Sequence, residues 1–134
     1  MFRLTRPLFN QLRRTTTGIT GLEVHPDPIP HLIQTYKSTL EKLSAIPETS
    51  VYRQGVEAFT KHKLIIVQAA NGNIAEVEKQ LDEGHIEESL DIANDELSLA
   101  GRIVEWKAWE PLVEKPEPGQ WEYFGKAATA ASSS

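Results

Sequence analysis

The sequence predicts an all-α protein: a small antiparallel bundle of three to four helices, set between an extended N-terminal arm and a C-terminal Trp/Pro-rich strap. Apolar residues recur at steps of three and four in successive segments, the period of an amphipathic helix. No run alternates at period two for long enough to argue a strand, and no repeat of solenoid length occurs. The 134 residues allow one domain, and 40% apolar with 25% charged residues is ordinary for a globular chain. No stretch approaches the roughly 20 apolar residues that a membrane-spanning helix requires.

Residues 1–22 carry Arg3, Arg6, Arg13 and Arg14 without an acid, the first carboxylate being Glu23. Together with apolar Phe2, Leu4, Leu8, Phe9 and Leu12, this reads as a mitochondrial targeting segment. Pro7 would interrupt a long helix there. The plainer alternative is a disordered basic tail; a retained segment would serve as an arm on a partner.

The bundle is expected over residues 23–108. Pro26, Pro28 and Pro30 make an extended lead-in, with Asp27 placed to cap a helix and Pro28 in its first turn. Ile29, Leu32, Ile33, Tyr36, Leu40 and Leu43 form its apolar face, and Pro47 ends it. Thr49 or Ser50 caps a second helix running toward Ala70. Leu64, Ile65 and Val67 widen the stripe of Tyr52, Val56, Phe59, Lys63 and Ile66, so neighbours are expected to cover this helix well. After Asn71-Gly72, Asn73 and Glu76 have capping-box spacing for a short helix through Ile74, Val77 and Leu81 that stops at Gly84. Ile86, Leu90, Ala93, Leu97, Ala100 and Val104 then alternate steps of four and three, as in a packing seam. Small residues at Ala93, Ala100 and Gly101 invite a close neighbour. Residues 109–126, with Pro111, Pro116 and Pro118, are expected to be an extended docking strap, and residues 127–134 a disordered tail.

Chemistry-bearing groups are few. The chain has no cysteine, which excludes disulfides, thiolate nucleophiles and cysteine-ligated metals or clusters. His25, His31, His62 and His85 are scattered without the i, i+4 spacing of a helical metal site, and most are expected to face solvent. Nine carboxylates between Glu76 and Glu96 stand against Lys79 alone, and their default role is a solvated helix face; docking on a basic surface is the sharper reading. A net charge of −5, with four arginines confined to the arm, makes nucleic acid a poor partner. No phosphate-binding loop, nucleophile elbow or zinc-protease motif is present. Catalytic, cofactor-binding and metal-binding residues are therefore expected to be none.

Large aromatic rings are the informative exception. All three tryptophans lie in one proline-studded region, as Trp106, Trp109 and Trp121. Indole gives large contact area for little lost entropy and dominates interface anchor positions. Candidate partner-binding residues are Trp106, Trp109, Pro111 and Trp121, joined by Tyr52 and Arg53 near the start of the second helix. Trp106 is the ring expected to fold back on the bundle, whereas Trp109 and Trp121 lie beyond the helix.

At Glu105-Trp106-Lys107-Ala108-Trp109-Glu110-Pro111-Leu112 with Gln120-Trp121, the chain resembles the alpha-subcomplex subunit five family of mitochondrial NADH:ubiquinone oxidoreductase, respiratory complex I. Thr16-Thr17-Gly18, Ile46-Pro47, Tyr52-Arg53 and the stretch Leu90 to Leu99 support the resemblance, which covers most of the length. It implies a helical accessory subunit without a redox centre or catalytic step, peripheral on the matrix side of the inner membrane. Its implied contacts are other complex I subunits, chiefly the thirty-kilodalton core subunit of the quinone-reducing module. Two departures stand out: Ala108 replaces the family's usual proline, and the tail from Tyr123 is longer. Rival readings are a transient assembly chaperone, using the same helices, and a small matrix hydrolase or isomerase, using a carboxylate of raised pKa.

Overall fold

The computed structural model describes residues 14–120 and contains four helices: α1 (Pro28–Leu43), α2 (Val51–Ala69), α3 (Ile74–Leu81) and α4 (Ile86–Trp106). The expected targeting segment as far as residue 13, Trp121 and the expected tail fall outside the described residues. Long helices α2 and α4 both pack on α1, and short α3 bridges them at one end. Contacts such as Thr35–Asn94 and Lys42–Leu97 show α1 and α4 running in the same direction. The run of α2 opposes both, giving an up–down–up bundle.

Most helix starts and stops follow local chemistry. Pro28 occupies the first turn of α1, where its missing N–H costs nothing. Asp27 stands at the N-cap but makes no side-chain cap bond. The helix ends at Leu43, short of Pro47, and the chain tightens through successive turn bonds to Ala45 and Ile46. Asn73 caps α3 by accepting from the Glu76 N–H at 3.3 Å, whereas its own N–H donates to Ala70 rather than to Glu76. The stop of α3 is a correction: Asp82, not Gly84, takes the left-handed conformation directly after Leu81, at φ 54°. Gly84 follows two residues on at φ +88°, a left-handed conformation that favours glycine, and a Cβ there would also press on Glu88 Oε2. That carboxylate is already engaged, accepting from the His85 N–H at 2.7 Å to open α4.

Two apolar clusters fill the bundle. The first, at the start of α1, joins Leu32 and Tyr36 to Val67 of α2, Val77 of α3, and Ile86, Leu90 and Ala93 of α4. The second, at the far end, contains Leu43, Ile46 and Ala100, with Leu40, Tyr52, Val56, Ile103 and Val104 against it. The small-residue seam of α4 works as expected: Ala93 and Ala100 are buried, and a Cβ on Gly101 would crowd Lys42 Nζ at 3.3 Å.

The expected covering of α2 does not occur. Only Thr60, Lys63 and Val67 of that helix are buried, and Phe59 and Ile65 are exposed. Apolar content around a helix says how much it could bury, whereas the number of neighbours decides how much it does; here α1 and α3 touch one side only.

Candidate functional site

The sequence-nominated residues divide into two groups at the far end of the bundle. Tyr52 and Arg53 are engaged within the chain. The Tyr52 hydroxyl donates to Glu96 Oε1 at 2.5 Å, linking α2 to α4. Burial first, then that bond and the charge of Glu96, pushes the Tyr52 phenol well above its usual value. Arg53 Nη1 donates to the carbonyl of Ile46 at 2.5 Å, and Nε donates to Glu57 at 3.2 Å, so its guanidinium fastens the α1–α2 loop. Hydrogen bonds from Lys61, then Arg53, hold Glu57 below the usual carboxylate range.

Of the two tryptophans among the described residues, Trp109 and not Trp106 folds back on the bundle. Trp106 lies on the last turn of α4 and leaves 63% of its surface exposed. Lys107 then adopts φ 50°, which ends the helix and turns the chain back, with Glu110 N–H donating to Lys107 O at 3.0 Å. Trp109 therefore packs, half-buried, against the Leu43–Ile46–Ala100 cluster. The left-handed turn at Lys107 has no strong local signal, since glycine and asparagine are the usual residues there. Pro111 and everything to residue 120 are exposed, including Leu112 and Val113. Trp106 and Pro111 thus share an uncovered end, and Tyr52, Arg53, Ile46 and Trp109 form the floor beneath it.

Several acidic residues expected on a solvated face have specific tasks instead. Glu87 is buried and accepts from the His25 N–H at 3.2 Å. Glu78 Oε1 accepts from Arg14 at 2.5 Å and from the Ile86 N–H at 3.1 Å, tying the arm's last arginine to the start of α4, where Arg14 also meets His85. Glu83 pairs with Lys63, whose ammonium also lies 4.3 Å from the centre of the Phe59 ring. Tyr36 is raised above the usual phenol value, first by burial and then by the charge of Glu83. These groups join helices together: the Lys63–Glu83 pair ties α2 to the turn after α3.

Sequence reasoning missed one histidine pair. His25 Nε2 and His31 Nδ1 lie 3.2 Å apart beside a hollow of about 300 Å³ that Glu23, Glu87 and Asp91 also line. The only available signal was the trio of prolines that bends the lead-in back on α1. Among the described residues, no group of three or more potential ligands could hold a metal ion, and no helix is long and apolar enough to cross a membrane.

The described residues thus form a small helical bundle with several charged side chains bonded between its helices and one tryptophan, Trp106, largely exposed. Residues 21–88 match the family described as ETC complex I subunit conserved region. The chain is 45% identical to the Candida albicans NADH dehydrogenase (ubiquinone) 1 alpha subcomplex subunit MCI4, over 82% of this chain and 79% of that one. It is 40% identical to the Bos taurus alpha subcomplex subunit 5, over 84% and 96% of the two chains, and 39% identical to the probable Caenorhabditis elegans subunit 5, over 91% and 81%. The chain belongs to this complex I subunit family.

Proposed function

We propose that the protein is a non-catalytic accessory subunit of mitochondrial respiratory complex I. It sits peripherally on the matrix side and stabilises the assembly that passes electrons from NADH to ubiquinone. Its named relatives are subunits of NADH dehydrogenase (ubiquinone), and they align over most of this chain. One observation carries the mode of action: the Trp106 indole is 63% exposed at the end of a rigid helix. An anchor on a preformed element binds without the cost of ordering it.

In this reading Trp106, Pro111 and Trp121 touch a neighbouring subunit, the thirty-kilodalton core subunit of the quinone-reducing module first among candidates. Tyr52, Arg53 and Trp109 hold the floor on which those contacts rest. A properly buried tryptophan at a hot spot contributes on the order of 2–4 kcal/mol, so two such rings are enough for lasting attachment.

The test is native-gel separation of mitochondrial membranes expressing Trp106→Ala with Trp121→Ala, followed by mass spectrometry of the complex I band. Wild-type protein is expected at one copy per complex, with the double variant lost on salt washing. Undiminished retention of the variant would remove the tryptophans from the mechanism. Absence of the wild-type chain from the mature complex would turn the reading toward a transient chaperone.

A further inference from the structure

Helix α4 has two apolar faces, and the bundle covers only one. Its inner seam, through Ile86, Leu90, Ala93 and Ala100, is buried. On its outer face Ile92, Leu99 and Trp106 stand seven residues apart and are 46%, 40% and 63% exposed. Seven-residue spacing lines three side chains along one edge of a helix, the arrangement that receives a second helix. Across from this stripe, α2 presents Phe59, itself 60% exposed. α2 and α4 each pack chiefly on α1 and are linked to each other by the Tyr52–Glu96 bond, and above that link a groove runs between them. Its floor holds a hollow of about 70 Å³, lined in part by Tyr36, Phe59, Lys63, Ile92 and Glu96. The Tyr36 hydroxyl is buried there without a hydrogen-bond partner.

We propose that this groove seats one amphipathic helix of a neighbouring subunit, with apolar side chains at heptad spacing toward Ile92, Leu99 and Trp106 and lysine or arginine along its flank. The proposal rests on the reading of the chain as part of a larger assembly. The length follows from the stripe: the fourteen steps of α4 from Ile92 to Trp106 span about 21 Å, which calls for a partner helix of about four turns. The charge follows from its borders. Glu88, Asp95 and Glu96 lie one helical turn from Ile92, and the neighbouring cation Arg102 is paired with Glu105. Acidic edges favour a basic helix and disfavour a second copy of this chain, whose own stripe has the same acids. Residues 1–13 are basic and partly apolar, but Pro7 stands where a helix of that length would need to continue.

The test places a photo-crosslinking phenylalanine derivative at Leu99, with Ile65 on the outer side of α2 as the control site, in cells lacking the native subunit. Purified intact complex I is irradiated and the joined peptides are sequenced. Support is a Leu99 crosslink to one helical segment of another subunit, with heptad-spaced apolar residues and a basic flank. A crosslink to residues 1–13, to a second copy, or to nothing overturns the proposal. In parallel, Leu99→Glu is expected to lower the amount retained after a salt wash about tenfold, with its thermal melt by circular dichroism unchanged and Ile65→Glu retained as wild type. Full retention of Leu99→Glu sinks the groove while leaving the subunit reading in place. If wild-type protein is itself absent from complex I, the subunit reading fails and the groove with it.

Discussion

The two ends of the bundle are built from the same three long helices and finished differently. At the start of α1, short α3 closes the end, and Leu32, Val67, Val77 and Ile86 are buried from all sides. At the far end no fourth helix arrives among the described residues. The second cluster has fewer buried members, and Trp109, returned by the turn at Lys107, is a partial lid over them. The closed end can be stable alone, whereas the open end has apolar surface left to give to another chain. A short helix and one left-handed residue separate a covered core from an exposed apolar end.

The largest effect should come from the ion pair at the closed end. Lys63→Met leaves the Glu83 carboxylate without its cation, in a place where both side chains are largely shielded. A loss of about 3–5 kcal/mol is expected in urea unfolding, most of it recovered by adding Glu83→Leu. If the single variant unfolds like wild type, that end is not held as described.

Next come the two core leucines. Leu32→Ala should cost about 4 kcal/mol, because four helices keep the cavity from collapsing. For Leu43→Ala about 2–3 kcal/mol is expected, since the open end can relax into the space. Equal losses in the same denaturant series would erase the distinction between the ends.

The tryptophans sharpen it further. Trp109→Ala should lower stability by about 1–2 kcal/mol, whereas Trp106→Ala should change the isolated protein by less than about 0.5 kcal/mol. Calorimetry on the two variants separates lid from anchor; a large loss for Trp106→Ala would mean that its ring is buried by its own chain.

The tyrosines test single hydroxyl groups. Tyr52→Phe removes a hydrogen bond to the Glu96 carboxylate and should cost about 1.5 kcal/mol, but Tyr36→Phe removes an unpartnered hydroxyl and should be near neutral. Both phenols are raised in the folded state, so folding favours their neutral forms. Their contribution is complete below the free value of 10.0 and is lost as pH rises beyond it. Denaturation midpoints measured from neutral pH to strongly alkaline pH should fall only in the upper part of that range, less steeply in Tyr52→Phe.

The helices were legible because their signals are local. Pro28 in a first turn, Asn73 accepting from Glu76, and the Leu90–Ala93–Ala100 seam each depend on residues within three turns of one another. The site was legible in composition and misread in geometry. Indole rings marked the candidate anchors, but which ring faced outward depended on the backbone of Lys107, a residue type with no strong preference for that conformation. Phe59 and Ile65 were counted toward the core because periodicity records an apolar face without recording who comes to cover it.

By itself, then, the sequence determined the all-α class, the helix boundaries to within a few residues and the gathering of all three tryptophans in one short region. Tertiary structure alone decided that Arg53 and Tyr52 serve the chain's interior, that Trp109 folds back while Trp106 stays out, and that α4 keeps a second apolar stripe. The reason is one of range. Caps and helical periods arise from neighbours along the chain, whereas exposure depends on how many helices arrive at a given surface, and α3 reaches only one end.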